Sequence, residues 1–146
     1  MTKKLALITG ISGQDGAYLA NFLLKKKYKV LGIERRSARS NNWRLEKLNI
    51  KDKVIIEDVD IKEINNLIRV FDKYKIDEVY NLAAQSFVYS SFQNPMETSL
   101  VNAIGVLNLL EIIRNKKNKI KFYQASTSEM FGKHQKKYQD EKTLFH

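Results

Sequence analysis

The sequence predicts an α/β protein, a doubly wound parallel sheet with helices on both faces. Three observations carry that prediction. Short continuous apolar runs, of the kind buried on both faces of a parallel sheet, recur along the chain. They alternate with apolar residues at helical spacing. A three-glycine loop lies between the first run and the first helical stripe. The length of 146 residues fits one domain, and 43% hydrophobic with 29% charged residues is globular composition, which excludes wholesale disorder.

The elements follow in order. Leu5-Ala6-Leu7-Ile8-Thr9 is the first strand, ending in glycine. Tyr18, Leu19, Phe22 and Leu23 repeat at helical spacing. Lys29 to Ile33 is the second strand, Val54 to Ile56 begins the third, and Glu78 to Leu82 makes the fourth. Ile64, Leu67, Ile68 and Phe71 form a helical stripe before the fourth strand. A longer stripe of Val101, Ile104, Leu107, Leu110 and Ile113 follows it, on a helix starting near Pro95. Lys121 to Ala125 is the fifth strand, and from Ser126 to His146 the periodicity is lost. Strand–helix alternation of this kind is Rossmann-like, with right-handed crossovers. Such a sheet ordinarily continues into a sixth strand and a further lobe. Residues 1–146 therefore read as a C-terminally incomplete Rossmann-like domain, the N-terminal part of a longer protein.

Composition excludes several function classes. The chain has no cysteine, which removes disulfides, thiolate nucleophiles and cysteine-bearing zinc sites. With only His134 and His146, no metal centre is expected. The net charge of +10 comes mostly from lysines at helix ends and turns, such as Lys25-Lys26-Lys27 and Lys116-Lys117. These read as solvated surface, and no nucleic-acid partner is expected. No uninterrupted apolar run approaches the ~20 residues of a membrane span, and no signal peptide opens the chain. A cytoplasmic protein without a membrane partner is the expectation.

The glycine loop is Gly10-Ile11-Ser12-Gly13-Gln14-Asp15-Gly16. Gly10 suits a tight turn, Gly13 a close approach of pyrophosphate to backbone, and Gly16 close packing of helix on strand. The helix N-terminus presents unpaired N–H groups to phosphate. No G-K-[ST] follows, so a P-loop NTPase is excluded. The second strand ends in Glu34-Arg35-Arg36-Ser37-Ala38, about 20 residues beyond the loop, where an adenosine ribose belongs. A carboxylate there suits a free 2′-hydroxyl and NAD, whereas arginines suit a 2′-phosphate and NADP. Arg35, Arg36 and Ser37 together outweigh Glu34, and NADP is the expected cofactor. Asp58, ending the third strand, is placed to accept from an adenine amino group or simply to sit exposed.

Ligands of open α/β sheets bind beyond the carboxyl ends of the strands. Leu82-Ala83-Ala84-Gln85-Ser86 and Ser126-Thr127-Ser128-Glu129 follow the fourth and fifth strands. The glycine loop, Asp58 and both segments are expected to share one crevice. A hydroxyl beside Glu129 suits proton transfer on a sugar. Ser-x-x-Glu is equally the spacing of a helix capping box, and residue chemistry alone leaves both readings open.

The segments TGISGQDGAYLANFLL (9–24), GIERRS (32–37), EVYNLAAQSFVYSSFQNP (78–95) and KFYQASTSEMFG (121–132) give a resemblance across nearly the whole chain. It resembles the N-terminal part of the extended short-chain dehydrogenase/reductases and, more narrowly, the GDP-mannose 4,6-dehydratase family. The resemblance implies an NADP-dependent lyase of GDP-fucose biosynthesis that converts GDP-mannose to GDP-4-keto-6-deoxymannose. Hydride leaves C4 of the hexose, water is eliminated across C5 and C6, and the hydride returns to C6. It implies that Thr127 holds the C4 hydroxyl, and that Glu129 takes the C5 proton and protonates the leaving hydroxyl. Ser86 and Ser128 join them at the substrate. The implied cofactor positions are Gly10 to Gly16, Arg35 to Ala38, Asp58, Val59 and Leu82 to Ser86.

A homodimer or homotetramer is implied, with the loop after Arg36 reaching a neighbouring subunit. The family's Tyr-x-x-x-Lys pair would follow shortly after His146, so a chain ending there is expected to bind cofactor weakly and not to turn over. Glu34, Glu97 and Lys27 depart from the family pattern, which has a neutral or basic residue, a tyrosine and a glycine there. Two alternatives share the fold: a nucleotide-sugar epimerase or 4-keto-reductase, which needs no carboxylate at position 129, and a non-catalytic NADP-binding regulator.

Overall fold

A computed structural model describes residues 3–38, 40–133 and 138–145. His134 and His146, weighed above as metal ligands, and Arg39 lie outside the described residues. The elements run β1 (Leu5–Thr9), α1 (Gln14–Lys25), β2 (Lys29–Glu34), α2 (Trp43–Lys47), β3 (Ile55–Asp58), α3 (Ile64–Lys73), β4 (Glu78–Asn81), α4 (Val88–Gln93) and α5 (Pro95–Ser99). A π-helical turn, Leu100–Ile104, joins α5 to α6 (Gly105–Arg114), and β5 (Lys121–Gln124) completes the sheet. Short 3₁₀ turns occupy Lys51–Lys53 and Ser128–Phe131.

All strand pairs are parallel, in the order β3-β2-β1-β4-β5. The central strand β1 is buried along its whole length. Its alternate side chains enter two cores. Leu5 and Leu7 join Leu31, Ile33 and Val79 beneath Leu67, Val70 and Phe71 of α3 and Leu109 and Ile112 of α6. Ala6 and Ile8 join Val30 beneath Ala17, Ala20 and Leu23 of α1 and Leu45 of α2. Two-sided burial is why β1 reads as an unbroken apolar run.

Two helices turn a different face inward from the one their spacing suggests. On α6 the buried residues are Gly105, Leu109 and Ile112, while Ile104, Leu107 and Leu110 are exposed. Gly105 accounts for the rotation, because a Cβ there would meet the Ile61 side chain at 2.6 Å, so this glycine face is the one that can close on the chain. On α1 the packed face is Gly16, Ala17, Ala20 and Leu23, leaving Tyr18 and Phe22 outside. The composite helix Pro95–Arg114 is also long and apolar enough, at a mean hydropathy of 1.4, to cross a membrane by length and composition. In the protein it lies against α3 and donates from Asn108 Nδ2 to the Ile61 carbonyl at 3.0 Å.

At the amino ends of the strands, opposite the loops discussed below, Glu78 is buried and accepts three hydrogen bonds. Tyr80 donates at 2.8 Å, Lys4 at 3.1 Å and Tyr28 at 3.2 Å. Burial pushes the Glu78 carboxyl up, but these donors together hold it below the usual carboxylate range. Burial, then the bond to Glu78, pushes the Tyr80 hydroxyl up to about 12. An unfolded tyrosine ionises near 10, so the folded state keeps the proton that the unfolded state loses between the two values. Stability therefore falls as pH rises from 10 toward 12. The Glu78 contribution runs the other way, present at neutral pH and lost as pH falls through its lowered value. Thermal melts from pH 9 to 12 check the alkaline arm, in which Tyr80→Phe should show a shallower decline than the wild type.

Candidate functional site

The sheet order reverses between β1 and β4, and there the loops at the carboxyl ends part to form a crevice of about 960 Å³. Gly10, Ser12, Gly13, Arg35, Arg36, Ser37, Asp58, Val59 and Leu82 through Ser86 line it. The remaining members of the glycine loop, expected to touch the cofactor, are not among the lining residues. Ile11 is buried with its side chain over Gly32, Gln14 and Asp15 are exposed on the first turn of α1, and Gly16 is packed beneath the loop. Ala38 is exposed beyond the lining residues.

Gly10 has φ of +67°, a left-handed conformation open to glycine, and a Cβ there would press on the Ala83 backbone at 3.2 Å. The Gly10 N–H donates to the Ile33 carbonyl, and the Gly13 N–H donates to the Gly10 carbonyl. Gly13 caps α1 with no side-chain bond, so the helix presents bare N–H groups at the crevice. Arg44 of α2 donates to the Ser12 carbonyl at 3.1 Å and braces the loop from outside. These features suit a ligand carrying a pyrophosphate.

A second polar cluster stands where β2 ends. Glu34 Oε1 accepts from Asn42 Nδ2 at 3.2 Å. Glu34 Oε2 and Asn42 Oδ1 are buried with no hydrogen-bond partner among the described residues, and both residues are among those lining the crevice. Arg35 and Arg36 follow with exposed side chains. Asp58 is exposed and pairs in register with Glu34, and the Val59 N–H donates to the Glu34 carbonyl.

The wall after β4 is held by two polar devices. The buried Thr9 hydroxyl donates to Asn81 Oδ1 at 2.5 Å and accepts from the N–H groups of Leu82 and Ala83. Asn81 Nδ2 in turn donates to Gln124 Oε1, linking β1, β4 and β5. Further out, the Gln85 N–H donates to Asn102 Oδ1 at 2.8 Å while Asn102 Nδ2 donates to the Gln85 carbonyl at 2.9 Å. The π-helical turn, a local widening common at functional sites, carries Asn102 to this clamp. Glu97 also lines the crevice, where Lys62 donates to both its oxygens at 2.7 and 3.0 Å. That bond holds the Lys62 ammonium above its ordinary range.

Thr127, Ser128 and Glu129 stand at the same carboxyl edge, past the end of β5, but are not among the residues lining the crevice. All three are exposed. Thr127 Oγ1 accepts from the Glu129 N–H at 3.2 Å and caps the 3₁₀ turn Ser128–Phe131. Capping at this turn is thus done by Thr127, while Ser126 Oγ turns to Met130 Sδ. Ser126 has φ of +62°, which bends the chain sharply as it leaves the strand.

Sequence reasoning missed Asn42, Asn102, Arg44 and the Thr9–Asn81–Gln124 chain as parts of this site. Short polar residues outside any periodic pattern gave no signal for them. Only the placement of Asn81 at the end of a predicted buried strand marked it as a polar group in need of partners.

A sequence model of the GDP-mannose 4,6 dehydratase family matches residues 7–146. A GDP-mannose 4,6-dehydratase of Vibrio cholerae is 52% identical over an alignment covering 100% of this chain and 41% of that protein. The Homo sapiens GDP-mannose 4,6 dehydratase is 43% identical, covering 99% of this chain and 41% of its own length. The chain thus spans about two-fifths of these curated relatives. Among solved structures, a UDP-glucose 4-epimerase from Bifidobacterium longum, in complex with NAD+ and UDP, superposes with a TM-score of 0.86 at 27% identity. It covers 98% of this chain and 43% of that one. Sequence match over nearly the whole chain and agreement in fold lead to one assignment: the chain belongs to the GDP-mannose 4,6-dehydratase family.

Proposed function

We propose that this chain is the dinucleotide-binding part of an enzyme that converts GDP-mannose to GDP-4-keto-6-deoxymannose, using NADP held in the crevice. The observation that carries the reading is the Thr127–Glu129 pair beyond β5 in a chain of this family. A reductase or epimerase has no use for a carboxylate there, whereas eliminating water from a sugar needs a group that takes one proton and gives another.

The residues present fit a nicotinamide dinucleotide. Gly10 and Gly13 clear the backbone for the pyrophosphate, and the uncapped end of α1 faces it. Arg35, Arg36 and Ser37 favour a 2′-phosphate at the ribose, and Asp58 is placed to accept from the adenine amino group. When bound, the dinucleotide supplies hydride acceptance and return. Among these residues Thr127 and Glu129 serve the elimination, and the proton shed by the C4 hydroxyl passes to the tyrosine of the family's Tyr-x-x-x-Lys pair, which lies outside residues 1–146. The Thr127 oxygen accepts from the Glu129 N–H, which leaves its proton to donate toward a sugar oxygen and orient the C4 hydroxyl. The Glu129 carboxylate, on the first turn beyond, removes the C5 proton and returns a proton to the departing C6 hydroxyl. Ser86 and Ser128 flank the sugar. We place the enzyme in the cytoplasm as a homodimer or homotetramer, for which the apolar face of Ile104, Leu107 and Leu110 offers a surface.

The test is to incubate the intact protein with GDP-mannose and, separately, with UDP-glucose, and to analyse the products by mass spectrometry and NMR. The expected result is loss of one water from GDP-mannose and no change in UDP-glucose. Epimerised UDP-glucose with GDP-mannose untouched would make the protein an epimerase. Cofactor binding without reaction of either sugar would make it a binding protein.

A further inference from the structure

The lysines that read one by one as solvated surface are gathered by the fold onto one face. All strand pairs are parallel, so helix ends and strand starts meet at the amino edge of the sheet, opposite the crevice. Lys3 and Lys4 precede β1, and KKKYK (25–29) leads from α1 into β2. KDK (51–53) precedes β3, KYK (73–75) leads from α3 toward β4, and KKNKIK (116–121) leads from α6 into β5. Fourteen of the chain's 26 lysines and arginines thus stand at this edge. Four are drawn into ion pairs, Lys4 with Glu78, Lys51 with Glu46, Lys73 with Glu57 and Lys116 with Asp72. The other ten are exposed and make no ion pair among the described residues. The crevice edge is mixed in sign, with Arg35 and Arg36 sharing the lining with Glu34, Asp58 and Glu97.

A helix C-terminus favours a cation within its last turn, which accounts for Lys25 and Lys73. It does not account for the lysines of the loops and strand starts. Lys27 is held at φ of +67°, a left-handed conformation that glycine adopts at least cost, so the charge stands there against the preference of the backbone. We infer that the amino-edge face docks the protein on an anionic lipid surface. Composition alone suggests no membrane partner; the placement of the charges on one face does. The cations spread in two dimensions, about 20 Å across the five strands and out to the helices on both sides, which matches a plane of phosphates. A nucleic-acid duplex is held along a row of contacts and read by arginine and amide side chains, whereas the ten unpaired cations here are all lysine. Lysine is a point charge that gains from a diffuse anionic field without a fixed partner. Phe22, exposed on the last turn of α1 with the Lys26 ammonium 5.4 Å from its ring centre, adds an apolar group at the margin.

Co-sedimentation of the intact protein with vesicles tests this, using phosphatidylcholine alone and phosphatidylcholine with about a third phosphatidylglycerol. The wild type should pellet with the mixed vesicles and not with the neutral ones, and raising the salt from about 0.1 M to about 0.5 M should release it. Lys26→Gln with Lys27→Gln should weaken partitioning about tenfold or more. Lys133→Gln with Lys142→Gln, the same loss of charge beyond β5, should change it by less than about twofold. Lys27→Gly suits the backbone better, so it should melt above the wild type and still partition about threefold less. Thermal melts establish that every variant is folded. Equal losses from the two double variants, or no pelleting with the mixed vesicles at low salt, overturn the lipid face. Retention of a DNA or RNA duplex without pelleting on vesicles overturns it too and assigns the face to nucleic acid. None of these results bears on the dinucleotide site, which the product analysis above tests separately.

Discussion

Replacing Gly16 with alanine should lower the melting temperature by about 10 °C or more, although the change adds a single methyl group. The new Cβ would fall 2.7 Å from Ile11 Cα and closer still to the Gly10 carbonyl oxygen. Both obstacles are backbone, and neither can rotate away. Gly10 is tied to the Ile33 carbonyl and to the Gly13 N–H, and Ile11 is wedged over Gly32. Relief requires α1 to lift from the sheet, exposing Ala17, Ala20 and Leu23. Overpacking a rigid site costs about 3 kcal/mol or more, against a total stability of order 5–15 kcal/mol.

Gly13→Ala is the contrasting variant. Its Cβ meets one oxygen at 3.1 Å, and its φ of −68° and ψ of 172° are open to alanine. That protein should fold with a melting temperature near that of the wild type and lose dinucleotide affinity, because Gly13 lines the crevice proposed to hold the pyrophosphate. Melting curves and cofactor titration of the pair separate the two functions of the loop. A Gly16→Ala protein as stable as the wild type would show that α1 does not sit as described.

The second large effect is on chemistry. Glu129→Gln should lower the rate of water elimination by about 10²–10⁴-fold, the range for loss of a general acid–base group. Glutamine keeps the shape and cannot take the C5 proton. Glu129 is exposed, and the bond it makes to Thr127 uses its backbone N–H, which the variant retains. Stability and cofactor affinity should therefore be unchanged, confining the effect to turnover. Steady-state kinetics beside a cofactor titration checks this. A variant with near-normal turnover would return Thr127 and Glu129 to a purely capping role.

The strands and the glycine loop were legible in the sequence because their causes are local. A strand buried on both faces must be apolar throughout, as Leu5–Ile8 is, and a backbone pressed against Ala83 at positive φ must be glycine. The face that α6 buries was not legible. That helix is apolar on several sides, and Ile61, from a distant loop, selects the Gly105 side. The five-residue α2 has too few turns to show a period, yet it brings Arg44 to Ser12. The clamp of Asn102 on Gln85 depends on a π-helical turn that shifts the helical register, and the Glu34–Asn42 pair depends on how a polar loop folds back. Such pairings join residues distant in pattern, and their cause is tertiary. The convergence on one crevice was legible for the loops after β1, β2 and β4. The segment after β5, expected to share the crevice, does not line it, and Ser126 bends the chain at the strand's end.

The central claim is that this fold serves an elimination in which the hydrogen taken from C4 of the sugar is given back at C6 while Glu129 handles the protons. The most direct measurement is mass spectrometry of the product formed by the intact protein from GDP-mannose carrying deuterium at C4. The account predicts a product lighter by one water that keeps the label, now on the C6 methyl group, and no such product from Glu129→Gln. A product of unchanged mass, or one that has lost the label to solvent, would contradict it.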